Sequence, residues 1–127
     1  MVQISTIVRA ADNAGALTYK CLTVMGGHAQ RYARLGDIIR MVPQQVLSNQ
    51  KVKRRTMYYG LVVRSRRPTK RPDGTVVRFN DNAVLTLDDK HKFMGTRVAG
   101  VVAREIRAVG GADNKYKKML TLASGVV

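Results

Sequence analysis

Tryptophan is missing from this chain of 127 residues, and cysteine occurs once, at Cys21. A lone cysteine forbids an internal disulfide and points to a reducing compartment; in a strand pattern, Cys21 is expected to pack as a small hydrophobe. Acids are scarce as well: 8 Asp and Glu stand against 23 Lys and Arg, with two histidines. So thin an inventory argues against acid–base or metal chemistry. The one adjacent carboxylate pair, Asp88-Asp89, would face opposite ways on a strand. It reads better as a solvated turn balanced by Lys90 and Lys92. His28 and His91 sit in glycine-rich or charged loop sequence with no metal-ligand spacing around them. No catalytic residue, no metal site and no cofactor is expected.

Long apolar runs are missing too. None approaches the 18 or so residues of a membrane span, and no long helix pairs a basic face with an apolar one. No membrane partner is expected. The start, Met1-Val2-Gln3-Ile4-Ser5-Thr6, lacks the charged flank, apolar core and cleavage site of a secretory signal. A removed presequence and an organellar gene stay open.

What the chain has in excess is positive charge, a formal +15. That much like charge opposes compaction unless a polyanion neutralises it, and nucleic acid is the commonest polyanion. The excess is concentrated. Residues 51–78 hold ten of the basic residues, Lys51, Lys53, Arg54, Arg55, Arg64, Arg66, Arg67, Lys70, Arg71 and Arg78, against one acid, Asp73. Leu61-Val62-Val63 and Val76-Val77 flank a Pro/Gly turn in the middle of this segment, which predicts a projecting basic β-hairpin. Arginine dominates it, and arginine makes planar, bidentate contacts to phosphate. Tyr58 and Tyr59 lie beside it on opposite strand faces; one is expected in the core and the other could stack on a base or a neighbouring protein, with core packing the safer reading for either.

β signals dominate elsewhere. Ile4–Val8 and Leu17–Met25 read as strands around a turn at Ala11-Asp12-Asn13-Ala14-Gly15. On the second, Leu17, Tyr19 and Cys21 share one face. Ile38–Val42 is a third strand, ended by Pro43, with a helical turn over Gln44–Asn49. Met57–Val63, Thr75–Phe79 and Ala83–Leu87 follow. After Gly95 a short helix over Ala103–Arg107 is closed by Gly110-Gly111, and Met119–Leu122 suits a last strand. Short strands separated by turns predict one mainly all-β domain, a small barrel or sandwich. Gly95-Thr96-Arg97 and Gly100 could let backbone approach phosphate or a partner, or be ordinary turns.

These residues resemble the ribosomal protein L-fourteen family of the large subunit, in its bacterial-type form. Ala11–Ala16 is similar to that family's ADNSGA turn, and Tyr32–Ile39 to its YAGxGDxI stretch. Lys51-Val52-Lys53 resembles its KVKKG segment. Gly60–Arg64 with Arg71-Pro72-Asp73-Gly74, Arg78-Phe79 and Asn82-Ala83 resembles its hairpin. Gly95–Glu105 resembles GTRIFGPVxREL, and Lys118–Val127 resembles KIISLAPEVL. The chain departs from the pattern at Arg34 and at Arg55, both of which stand where the family has glycine.

The resemblance implies a five-stranded β-barrel over about 1–95, a hairpin at 61–79, and short C-terminal helices over about 96–127. It implies a non-enzymatic constituent of the large subunit that contacts large-subunit rRNA and small-subunit rRNA at intersubunit bridges. Implied neighbours are ribosomal proteins L-three and L-nineteen. A ribosome-silencing factor would dock on the face matching Thr96, Arg97 and Lys115. The compartment would be a mitochondrion or another organelle, or bacterial cytoplasm. A free oligonucleotide-binding barrel acting in translation or on single strands is the alternative. It would want aromatic stacking platforms, and aromatics make up 6% of the chain.

Overall fold

In the computed structural model the described residues are 2–27, 30–48, 50–109 and 116–127. Eleven elements follow one another: β1 (Ile7–Ala10), β2 (Ala16–Val24), β3 (Ile38–Val46), β4 (Tyr58–Arg64), β5 (Thr69–Lys70), β6 (Val76–Val77), β7 (Ala83–Leu87), β8 (Val101–Val102), α1 (Ile106–Val109), α2 (Lys117–Leu122) and β9 (Gly125–Val126). The expected five-stranded barrel is present and closed, in the order β1-β2-β3-β4-β7. Its pairings are antiparallel except the closing one, where Arg9 and Ala10 lie parallel to Ala83 and Val84.

The barrel interior is filled by alternate residues, as a period of two requires. Val8, Tyr19, Cys21, Ile39, Met41, Val62 and Val84 form one buried cluster. The β7 sequence Ala-Val-Leu-Thr-Leu is buried at every position. The reason is a second core on the outside of the sheet. There, Leu61, Val63, Leu85 and Leu87 pack against Val98, Val102, Ile106, Tyr116 and Met119 of the C-terminal part. Strands covered on both faces read as continuous apolar runs. Thr86 is the polar residue of β7, and its hydroxyl meets the Tyr19 hydroxyl at 2.6 Å. Burial pushes the Tyr19 phenol well above its ordinary range.

Several local expectations are corrected. The first strand begins at Ile7, because Gln3 and Thr6 close a turn and Ser5 has φ 72°. Leu17 is 52% exposed, turned away from Tyr19 by the irregular pairing around Thr18. Pro43 does not end β3, and residues 44–46 are strand, not helix; Asn49 lies outside the described residues. Past Met41, β3 has outrun β4 and keeps only β2 as a neighbour, an edge position that tolerates a missing N–H. Residues 119–122 lie in α2, not a strand. Tyr116 and Met119, three apart, are both buried, a spacing a short apolar run does not disclose. The helix expected over Ala103–Arg107 runs from Ile106 to Val109; Gly110 and Gly111 are outside the described residues.

The basic hairpin forms, but with different strands. β4 pairs with β3 and β7, while the hairpin partners are β5 and β6, with Thr69 opposite Val77. Its root is tied down. Val77 is buried with Leu35 and Ala103. The Arg71 guanidinium donates to both Glu105 carboxylate oxygens, at 2.8 and 3.2 Å, and also to the Val127 carbonyl at 2.6 Å. Burial alone would raise the Glu105 carboxyl; its bonds to Arg71 and the nearby Arg104 outweigh that and hold it below the usual carboxylate value. The latch therefore joins the hairpin, α1's approach and the β9 end.

A second knot sits in the Ala11–Ala16 turn. Asp12 Oδ2 accepts the Thr86 N–H at 2.6 Å. Asn13 Oδ1 accepts the N–H groups of Thr96 and Arg97 at 2.8 and 3.0 Å, while its amide donates to the Thr96 hydroxyl at 2.8 Å. Gly15, at φ 132°, leaves no room for a Cβ, which would stand 2.3 Å from that of Gln50.

Two outcomes are expected. Asn13→Ala should lower stability by about 1–2 kcal/mol in urea unfolding, since it removes three hydrogen bonds of about 0.5–1.5 kcal/mol each, partly replaced by water. Glu105→Gln should lower Tm at neutral pH. A carboxyl whose folded pKa is depressed stabilises above its unfolded value, 4.5, and loses that contribution as pH falls through the folded one. The Tm gap between wild type and variant should therefore close in scans below about pH 4.5.

Candidate nucleic-acid interface

The ten basic residues of 51–78 separate into two groups by what their side chains do. Lys51, Lys53, Arg54 and Arg55 occupy an exposed loop between β3 and β4. The loop is not loose. Val52 between them is 2% exposed, and its N–H donates to the Ala14 carbonyl. The Lys53 N–H donates to the Tyr58 hydroxyl at 3.0 Å, and the Lys51 ammonium donates to the Met94 carbonyl at 3.2 Å. Arg55 adopts φ 60°, the left-handed backbone that favours glycine and costs other residues roughly 1–2 kcal/mol. Arginine thus stands in a turn built for glycine, where it adds charge.

Arg66, Arg67, Lys70 and Arg78 are exposed on or beside the hairpin. The Arg66 N–H donates to the Asn82 side chain, and its Nε to the Asn80 carbonyl; a guanidinium has further donors to turn outward. Arg64 and Arg71 are engaged inside the protein. Arg64 Nη1 donates to the Ala99 and Val101 carbonyls, at 2.9 and 3.3 Å. Its Nε lies 3.1 Å from an Asp81 carboxylate oxygen, and its side chain is 13% exposed. Gly100, at φ 77°, makes room for that guanidinium, since a Cβ there would stand 2.4 Å from Nη1. Of the two readings of Gly95-Thr96-Arg97 and Gly100, the internal one fits: Gly100 accommodates Arg64, and the N–H groups of Thr96 and Arg97 are taken by Asn13.

The fold adds cations that 51–78 does not contain. The loop between β2 and β3 brings Arg34 beside Arg67 and Lys70 around a cavity of about 300 Å³. Arg34's place on the family's glycine was the available signal. Arg31 and Tyr32 line an adjoining hollow with Gln30 and Asp37.

Tyr58 packs on the barrel-interior cluster and Tyr59 on the outer one, so both serve cores; Tyr59 also meets the His91 ring edge-on at 4.6 Å. Asp88 accepts the N–H groups of Lys90 and Lys92, the expected turn. Cys21 is buried, and burial pushes its thiol up. Among the described residues no group of three His, Cys, Asp or Glu could hold a metal ion, and no helix is long and apolar enough to cross a membrane. Thr96 and Arg97 are exposed; Lys115 and His28 lie outside the described residues.

A closed five-stranded barrel carries exposed cations on two anchored loops, while Asp12, Asp37, Asp73, Asp81, Asp88 and Glu105 are turned to internal bonds. The sequence matches the family model of ribosomal protein L14p/L23e over residues 1–127. That family is a structural constituent of the large ribosomal subunit and is not an enzyme family, and this chain belongs to it.

Proposed function

We propose that the chain binds large-subunit rRNA through Lys51, Lys53, Arg54, Arg55, Arg66, Arg67, Lys70 and Arg78, with Arg64 and Arg71 holding the frame that carries them. One observation carries this: the exposed cations sit on anchored loops, one held to the barrel core at Val52 and the other held at its root by buried Val77 and to the C-terminal part by the Arg71–Glu105 latch. Fixed cations release phosphate counterions on binding while losing little backbone entropy. RNA helices are recognised largely by shape and backbone, which suits a rigid array of this kind. The same resemblance supports contacts to small-subunit rRNA at intersubunit bridges and packing beside ribosomal proteins L-three and L-nineteen. It also supports service in an organelle or in bacterial cytoplasm.

Replacing Lys53, Arg54 and Arg55 together by Gln should leave the fold intact and weaken rRNA binding. The slope of log K against log salt should shrink by about 0.7–0.9 for each phosphate that the variant no longer neutralises, read by anisotropy with labelled large-subunit rRNA. An unchanged slope would remove this loop from the interface.

Thr96 and Arg97 are proposed, with Lys115, as the docking face of a ribosome-silencing factor. Support comes from their exposure and from the Asn13 tether that fixes their backbone. Val109 and Leu122 are exposed apolar residues of the same C-terminal part, 42% and 37%, suited to a protein partner. Arg97→Glu should allow assembly into subunits but reduce capture of the factor by those subunits, since a reversed rim charge disfavours pairing. Normal capture, or a variant absent from subunits, would argue against the assignment.

A further inference from the structure

We propose that the cavity between the β2–β3 loop and the basic hairpin is a pocket for one backbone phosphate of RNA, with Arg34 as the cation that completes it. This rests on the rRNA-binding function proposed above and adds a site outside 51–78. Arg34 lines one part of the cavity, and Arg67, Thr69 and Lys70 line another. Among the described residues the lining contains three cations and no carboxylate. A phosphodiester offers one negative charge and two free acceptor oxygens, which an arginine fork matches in its plane.

The pocket is held in shape before any ligand arrives. The Arg34 N–H donates to Asp37 Oδ2 at 2.8 Å, the Asp37 N–H returns a bond to the Arg34 carbonyl, and the Gly36 N–H is bound by the Val62 carbonyl of β4. Opposite, Lys70 is fixed by its pairing with Val76. Among the described residues no hydrogen bond or ion pair engages the side chains of Arg34 and Lys70. Arg34 and Lys70, set around one hollow with no acid among its described lining residues, repel each other, and an anion relieves that repulsion.

The shape selects a chain over a free ion. The adjoining hollow, about 380 Å³, shares Arg34 and adds Arg31 and Tyr32. Its one acid, Asp37, has Oδ2 occupied by Gln30 and by the Arg34 N–H. A strand can pass from the first hollow to the second, leaving a base beside Tyr32; a lone phosphate fills only one.

The test uses the full chain and labelled large-subunit rRNA. Arg34→Gln should bind roughly two- to fivefold more weakly at about 0.15 M salt, the worth of one exposed charge pair. Its salt slope should be smaller by about 0.7–0.9. Lys118→Gln, which removes the same charge from the exposed side of α2, should change affinity less and leave the slope as it was. The thermal midpoint of Arg34→Gln should match wild type. In ¹⁵N-arginine-labelled protein, decauridylate should move the Arg34 Nε–H signal further than inorganic phosphate at equal phosphate concentration. Equal slopes for wild type and Arg34→Gln overturn the pocket, as do equal losses for Arg34→Gln and Lys118→Gln. Equal signal shifts from the two probes overturn the chain ligand. If wild type itself shows no salt-dependent rRNA binding, the proposed function fails, and the pocket falls with it.

Discussion

The seam between the barrel and the outer core hangs on what the Asp12-Asn13 pair does inside one turn. Asp12 reaches back to the backbone of β7, and Asn13 reaches sideways to residues 96 and 97. The first bond fixes β1 against β7, where the barrel closes. The second sets the direction in which the chain leaves the barrel to form the outer core. The cost is a carboxyl in a largely buried place: burial pushes the Asp12 pKa up, against the pull of the Thr86 and Ala14 N–H groups. Such a group tolerates no neutral, non-bonding substitute, because the Thr86 N–H would be left without its acceptor.

The same logic governs five further acids. Asp37 holds the β2–β3 loop, Asp73 the hairpin turn, Asp81 the Arg64 clip, Asp88 the turn after β7, and Glu105 the latch. Each meets a backbone N–H or an arginine within the protein. The acids therefore work as internal fasteners and cancel little of the outward field. A chain with few carboxylates can stay strongly positive outside and still be well bonded inside.

Much of this was legible in the residues. The strands β4, β6 and β7, the turn at Ala11–Gly15 and the basic loops followed from β-branched runs, turn chemistry and charge density, whereas the two-residue strands β5, β8 and β9 did not. Long-range partnership did not. Val76-Val77 looked like the partner of Leu61-Val62-Val63, because nothing local says that β4 is already paired on both sides. Pro43 looked like a terminator, since sequence does not reveal where a strand becomes an edge. Residues 119–122 looked like a strand because the buried Tyr116, which makes the spacing helical, stands before the apolar run. Arg64 and Arg71 looked identical to their exposed neighbours; only the fold shows Gly100 and Glu105 receiving them. Arg34 lay outside the charge-dense segment, and a loop brought it there.

The parallel pairing of β1 with β7 also dictates an order of events. Residues 9 and 10 cannot meet residues 83 and 84 until the chain between them has been made. Most of the chain must therefore exist before the barrel can shut. Pairings so distant along the sequence make closure a slow step, because loop entropy is given up before the new bonds offset it. During that interval the apolar faces of β2, β3 and β4 stand open beside a dense set of like charges. Mutual repulsion between chains then works in the protein's favour: it slows the encounters by which half-made sheets would join edge to edge. The charge that suits the finished protein to a polyanion also keeps unfinished copies apart.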